Sequence, residues 1–191
     1  MGRTILITGS PGSGKTRFAA TLAAQNRGDV LCVATAELLD DELVRPGAYP
    51  HERGPLNWRT IEARRDLLGA LPMEWAPSTM VIDCLSGWVA NRLLDLGDPD
   101  DEDWQDQVAA LENDLVQEVR RLLRWARHAS WRLILVTNDV GADALPSSTL
   151  ARSFRELLDG LNQSVAESVD GVFAVVGGLP VELKRPFVTR A

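Results

Sequence analysis

Lysine is nearly absent from this chain. Of its 20 basic residues only Lys15 and Lys184 are lysine; the other 18 are arginine. Histidine is as scarce, with His51 and His128 alone, and cysteine is limited to Cys32 and Cys84. Two cysteines in apolar, strand-like runs read as buried inert thiols, not as a disulfide framework or a thiolate metal site. Positive charge is not in excess: 27 acidic against 20 basic residues give a net charge of -7. That weighs against a protein that grips a nucleic-acid backbone, which needs a basic footprint. No apolar run approaches the ~20 residues that cross a bilayer, so no membrane span is expected. Met1 to Thr8 passes straight into a strand pattern with no signal-peptide core, so a cytoplasmic protein is expected. Internal repeats and low-complexity segments are missing as well.

What is there is an ordinary globular composition, 45% hydrophobic and 25% charged over 191 residues. A chain of this length buries about 70% of its unfolded surface and needs no metal or disulfide staple. The expectation is a single domain over 1–191. Apolar runs bounded by turn residues predict strands at 3–8, 30–35, 79–84, 132–137 and 171–176. The first, third and fourth are nearly continuous in apolar character, which suits strands covered on both faces of a parallel sheet. Helical stretches are predicted at 16–24, 61–70, 85–94, 104–128 and 148–168. The fourth carries Val108, Leu111, Leu115, Val119, Leu122 and Leu123 at spacings of three and four. Strand alternating with helix defines an α/β domain with crossover connections. Residues 45–57 hold three Pro and two Gly and read as a loop, while 95–106 hold seven acidic side chains. The acidic stretch reads as a solvated connection ending at the acidic start of a helix.

One motif stands out. Gly9-Ser10-Pro11-Gly12-Ser13-Gly14-Lys15-Thr16 fits G-x-x-x-x-G-K-[ST] and falls where it must, after a strand and before a helix. The glycines let backbone N–H groups turn inward around phosphate oxygens. The first helical turn adds unpaired N–H donors and a positive dipole end. Lys15 supplies a point charge for the β- and γ-phosphates, and Thr16 offers a hydroxyl to Mg²⁺. The chain therefore reads as a P-loop α/β protein, a largely parallel sheet flanked by helices, that binds nucleoside phosphates with Mg²⁺. Asp83 closes the run Val81-Ile82-Asp83, where a carboxylate reaches the Mg²⁺ shell in P-loop proteins; the other reading is a helix N-cap. His51 sits in the Pro/Gly loop beside Glu52 and Arg53. His128 follows four arginines at the end of the long helix, where a cation suits the dipole.

Beyond these, the blocks Val33-Ala34-Thr35, Asp40-Asp41-Glu42-Leu43, His51, Trp58-Arg59-Thr60-Ile61-Glu62, Asp83-Cys84-Leu85, Trp88-Val89-Ala90-Asn91 and Leu135-Val136-Thr137-Asn138-Asp139-Val140-Gly141 follow in order. With Pro146, Leu150-Ala151-Arg152, Phe154-Arg155 and Asn162-Gln163 they resemble the bifunctional adenosylcobinamide kinase/adenosylcobinamide-phosphate guanylyltransferase family of cobalamin biosynthesis. The resemblance covers almost the whole chain. It implies a P-loop enzyme that phosphorylates the aminopropanol hydroxyl of adenosylcobinamide with ATP or GTP. It then transfers GMP from GTP to that phosphate through a guanylylated histidine, which would be His51. It also implies nucleotide contacts at Ala34-Thr35-Ala36, Glu52, Arg53, Glu62 and Asp83, besides the loop from Gly9 to Thr16. Thr16 and Asp83 would serve the metal. A homo-oligomer, a trimer, is implied too, with Trp104–His128 as an interface helix. Two other readings stay open on the residues: a P-loop kinase of another small metabolite, and a nucleotide-dependent switch ATPase or GTPase. The loop around His51 discriminates, because a switch needs no histidine that takes GMP.

Read as a solvent-facing loop residue, Lys15 carries little packing energy. Lys15→Ala should then abolish both nucleotide-dependent steps with little change in fold. Activity assays beside circular dichroism check this; near-normal turnover in a folded variant would count against the site.

Overall fold

The computed structural model describes residues 3–26, 28–35, 58–71, 77–139 and 147–185. Among these residues the elements run β1 (Thr4–Thr8), α1 (Lys15–Ala24), β2 (Val30–Ala34), β3 (Trp58–Glu62), β4 (Thr79–Asp83) and α2 (Leu85–Leu94). They continue with α3 (Trp104–His128), β5 (Arg132–Val136), α4 (Thr149–Ser168), β6 (Gly171–Val176) and β7 (Leu179–Lys184). The strands form one seven-stranded sheet in the order β3-β2-β4-β5-β1-β6-β7. All neighbours are parallel except β6 and β7, which are antiparallel. The expected α/β architecture, a mostly parallel sheet flanked by helices, is what the chain adopts.

The continuous apolar strands are explained by two cores, one on each face of the sheet. Leu6, Leu31, Val33, Met80, Ile82, Leu133 and Leu135 face α2, α3 and α4. Ile5, Ile7, Val30, Cys32, Val81, Ile134 and Val136 face α1, which brings Ala19 and Ala23. The six apolar positions predicted on the long helix are all buried, and Trp104 and Ala126 extend the stripe to both ends. Its apolar face is therefore spent inside the subunit, and an interface on this helix would have to use the charged outer face. Arg127 and His128 stand in its last turn, and His128 is exposed, as the dipole argument requires. The acidic side chains of 98, 100–103 and 106 are exposed.

Two expectations fail. The helix expected at 61–70 is not formed. Trp58–Glu62 is an edge strand paired in parallel with β2, and residues 63–71 follow as bends and turns. The apolar spacing that suggested a helix is met by the turns, which bury Ala63, Leu67 and Leu71. Their N–H groups are satisfied partly by backbone, with Ala63 donating to the Ala34 carbonyl and Leu71 to the Leu68 carbonyl, and partly by side chains: Leu67 N–H donates to Glu118 Oε1 at 2.8 Å and Gly69 N–H to Asp66 Oδ1 at 2.7 Å. The second is the set of five strands, which lacks β3 and β7; the latter follows β6 through the two-residue turn Gly177-Gly178. Both glycines have positive φ, 56° and 82°, as a type I′ hairpin turn demands.

At the centre of α3, Leu115 is 1% exposed within the larger core. Leu115→Ala should lower stability by about 2–5 kcal/mol, the usual cost of such a cavity. Urea unfolding would show it as a fall in midpoint at unchanged slope, and an unchanged midpoint would contradict the packing described.

Candidate active site

The parallel register brings the C-terminal ends of β1, β5 and β4 side by side, the place where open α/β sheets bind ligands. The loop Gly9–Lys15 rises from β1. Gly9 has φ 147°, and a Cβ there would lie 2.5 Å from the Val175 carbonyl oxygen. No other residue fits between this loop and β6. Gly14, the α1 N-cap, has φ 98°, a left-handed conformation that only glycine takes without strain. The β6–β7 turn leans on the same loop, with Gly178 N–H donating to the Ser13 carbonyl at 3.0 Å. On the other side Asp139 N–H donates to the Gly9 carbonyl at 3.0 Å. The phosphate loop is thus fastened at both ends by the segments that follow β5 and β6. Ser10, Pro11 and Gly12 form its exposed tip, while the Ser13 hydroxyl is buried with no hydrogen-bond partner among the described residues.

Lys15 is not the solvent-facing residue expected from sequence. It is 7% exposed, and its ammonium donates to the Ser10 carbonyl at 2.7 Å. Burial pulls its pKa below the ordinary lysine value, against the opposing pull of Cys84, Asp83 and Asp139. Because its stem is packed, Lys15→Met is a cleaner removal of charge than Lys15→Ala.

Thr16, in the first turn of α1, donates its hydroxyl to Asp83 Oδ2 at 2.6 Å. Asp83 closes β4 and is half-buried. The N-cap of α2 is Cys84, whose Sγ accepts from Gly87 N–H, so Asp83 does not cap that helix. A hydroxyl and a carboxylate at the mouth of a phosphate loop are hard oxygen donors. They match the one or two protein ligands that Mg²⁺ takes beside phosphates and water. The thiols are poor nucleophiles: burial pushes Cys32 up to about 12, and Cys84 is raised for the same reason.

The register also sets Glu62, Ala34 and Asp83 abreast on β3, β2 and β4. Glu62 is exposed and paired with Arg64 at 3.1 Å. A whole strand separates it from Asp83, about 10 Å between the backbones by strand spacing. Thr35 is fully buried. Its hydroxyl donates to the Cys84 carbonyl at 2.7 Å and accepts from the Cys84 N–H at 2.9 Å. It thus ties β2 to the end of β4. Asn91 of α2 reinforces this tie, donating to the carbonyls of Thr35 at 2.8 Å and Arg64 at 3.1 Å. Ala36, His51, Glu52 and Arg53 lie outside the described residues.

Sequence reasoning assigned no role to a polar chain beside the site. Thr137 donates to Asn162 Oδ1 at 2.8 Å, and Asn162 Nδ2 donates to the Asn138 carbonyl at 3.1 Å. Asn138 Nδ2 then donates to Ser86 Oγ at 2.9 Å. Ser86 Oγ in turn lies 2.9 Å from Cys84 Sγ. The only signal for it was that Asn138 and Asn162 fall in blocks that carry the resemblance.

These features define a P-loop nucleotide-binding protein of the α/β class. Comparison with known proteins narrows this. The model of the family described as cobinamide kinase / cobinamide phosphate guanyltransferase matches residues 5–183, and the chain belongs to that family. It is 34% identical over 184 residues to the bifunctional adenosylcobalamin biosynthesis protein CobU of Escherichia coli, covering 94% of this chain and 99% of the relative. It is 34% identical over 180 residues to the corresponding protein CobP of Pseudomonas aeruginosa, covering 94% and 96%. Among solved structures it is similar to the P4 protein from bacteriophage phi6 in complex with ADP, at TM-score 0.44 and 17% identity over 97% of this chain and 56% of that one.

Asp83→Asn keeps the size of the side chain and its ability to accept from Thr16. If the carboxylate holds Mg²⁺, the variant should lose activity and need more Mg²⁺ for half-maximal rate. An unchanged Mg²⁺ titration at full rate would reduce Asp83 to a structural partner of Thr16.

Proposed function

We propose that this chain carries out both reactions of its family as a single nucleotide-binding domain over 1–191, in the cytoplasm. It phosphorylates adenosylcobinamide with ATP or GTP, then transfers GMP from GTP to the adenosylcobinamide phosphate. The observation that carries the kinase half is the 2.6 Å contact between Thr16 and Asp83 at the mouth of the fastened phosphate loop. Phosphoryl transfer is chiefly a matter of position and electrostatics. The N–H groups of Gly9–Lys15 and the start of α1 would cradle the phosphates, and Lys15 would offset charge on the transferring group. Thr16 and Asp83 would hold Mg²⁺, which when bound neutralises charge between the β- and γ-phosphates.

The guanylyl half rests on His51 and on the family. A neutral imidazole near pH 7 is a competent nucleophile, since its reference pKa is about 6.5. Its ring nitrogen would attack the α-phosphorus of GTP, pyrophosphate would leave, and the phosphate of the acceptor would then take the GMP. Two such half-reactions give ping-pong kinetics. Arg53 would offset charge on the phosphates during attack.

Incubation with GTP and Mg²⁺ should leave one guanylyl group on the protein, seen by intact mass. The bond should be acid-labile and alkali-stable, as a phosphoramidate is. His51→Ala should abolish the label while cobinamide phosphorylation survives. A label that persists in His51→Ala would move the nucleophile elsewhere. An unlabelled wild-type protein with kinase activity would mean a kinase alone.

A further inference from the structure

Two carboxylates stand at the ends of the two strands next to β1 on one side, β5 and β4, and they are held differently. Asp83, ending β4, is half-buried and engaged with Thr16 at 2.6 Å. Asp139, three residues beyond the end of β5 at Val136, is exposed. Because β5 runs between β1 and β4, Asp139 leaves the sheet between the phosphate loop and Asp83. Its backbone is fixed there by the 3.0 Å bond from its N–H to the Gly9 carbonyl. The preceding residue is fixed by its bonds to Ser86 and Asn162. The Gly9 carbonyl and, through Asn138, the side chains of Ser86 and Asn162 thus fix the backbone that carries this exposed carboxylate, which by its exposure adds little to packing. Its negative charge acts on the Lys15 ammonium, which in the proposed kinase step would offset charge on the transferring phosphoryl group.

A kinase step releases a proton from the acceptor hydroxyl, and a positioned carboxylate can take it. The other described candidates are badly placed. Asp83 is committed to Thr16 and, on the reading above, to Mg²⁺. The Cys84 thiol is raised by burial and stays protonated. His128 ends α3 just before β5 begins, at the opposite edge of the sheet. Glu62 lies on β3, four strands from β1.

We propose that Asp139 is the general base of the phosphoryl-transfer step, taking the proton of the acceptor's alcohol. The O–H bond of the hydroxyl breaks and its proton passes to an Asp139 carboxylate oxygen. The freed oxygen bonds to the γ-phosphorus, the bond from that phosphorus to the β–γ bridging oxygen breaks, and the nucleoside diphosphate leaves with the electron pair. This rests on the kinase half of the proposed function.

The test is the full-length Asp139→Asn protein with MgATP and adenosylcobinamide. The turnover number should fall by about 100-fold or more, the usual worth of a positioned base. The KM for ATP and the guanylyl labelling by GTP should be unchanged, and Asp139→Glu should regain part of the rate. Full-rate phosphorylation by a folded Asp139→Asn protein overturns the proposal. So does a loss of ATP affinity or of guanylyl labelling that matches the loss of rate, because Asp139 would then act by holding the phosphate loop. If Asp139→Asn melts well below the wild type, the Asp139→Ser variant assayed at low temperature gives the same split between turnover and KM. A wild-type protein that labels with GTP but never phosphorylates cobinamide overturns the kinase reading and the base together, a result distinct from a failed base alone.

Discussion

The parallel pairing of β1 with β5, and of β5 with β4, is the constraint on which the site depends. In this register Ile7 stands beside Val136, and Val136 beside Asp83. Three strand ends therefore arrive together at one edge of the sheet. The first delivers the phosphate loop, the second Asn138 and Asp139, the third Asp83. A slip of one residue in either pairing would turn the inward-facing side chains to the wrong face of the sheet. The two cores prevent this slip, because each strand buries alternate residues against a different layer. Packing of the interior and placement of the groups at the candidate site are thus set by the same contacts.

The phosphate loop shows how much of the surrounding structure is arranged for it. Its first glycine meets the Val175 carbonyl so closely that no side chain could stand there. The Gly177-Gly178 turn brings an N–H to the Ser13 carbonyl, so the last hairpin of the chain braces the first loop. On the far side the backbone after β5 is tied to Gly9 and, through Asn138, to Ser86 and Asn162. Catalysis of phosphoryl transfer asks for donors already in position, so that little rearrangement is left for the reaction. The fastenings of this loop supply that order before any nucleotide arrives.

The features legible in the sequence were the ones written locally. Five strands announced themselves as short apolar runs, because burial on both faces removes polar residues. The glycines, Lys15 and Thr16 lie within eight consecutive residues, and Asp83 marks the end of an apolar run. Edge strands were hidden. β3 carries Arg59 and Glu62 in five residues, and β7 is polar at Glu182 and Lys184 and holds Pro180, so neither is a continuous run. Apolar spacing after Ile61 imitated a helix because Ala63, Leu67 and Leu71 all face the core. Glu118, 51 residues from Leu67 in the chain, supplies the hydrogen bond that makes a turn sufficient, and no local pattern reveals such a partner. The burial of Lys15 and the chain from Thr137 to Cys84 were hidden for the same reason.

On the reading proposed above, the loop from Gly9 to Thr16 and the carboxylate of Asp83 form one phosphate and metal site. A crystal structure of the protein with Mg²⁺ and a non-hydrolysable GTP analogue tests it directly. The β- and γ-phosphates should lie within the loop and against Lys15, with the ion bound by Thr16 and reached by Asp83 directly or through water. An analogue whose phosphates lie elsewhere, leaving the loop and the direct Thr16–Asp83 bond as they are, would contradict the account.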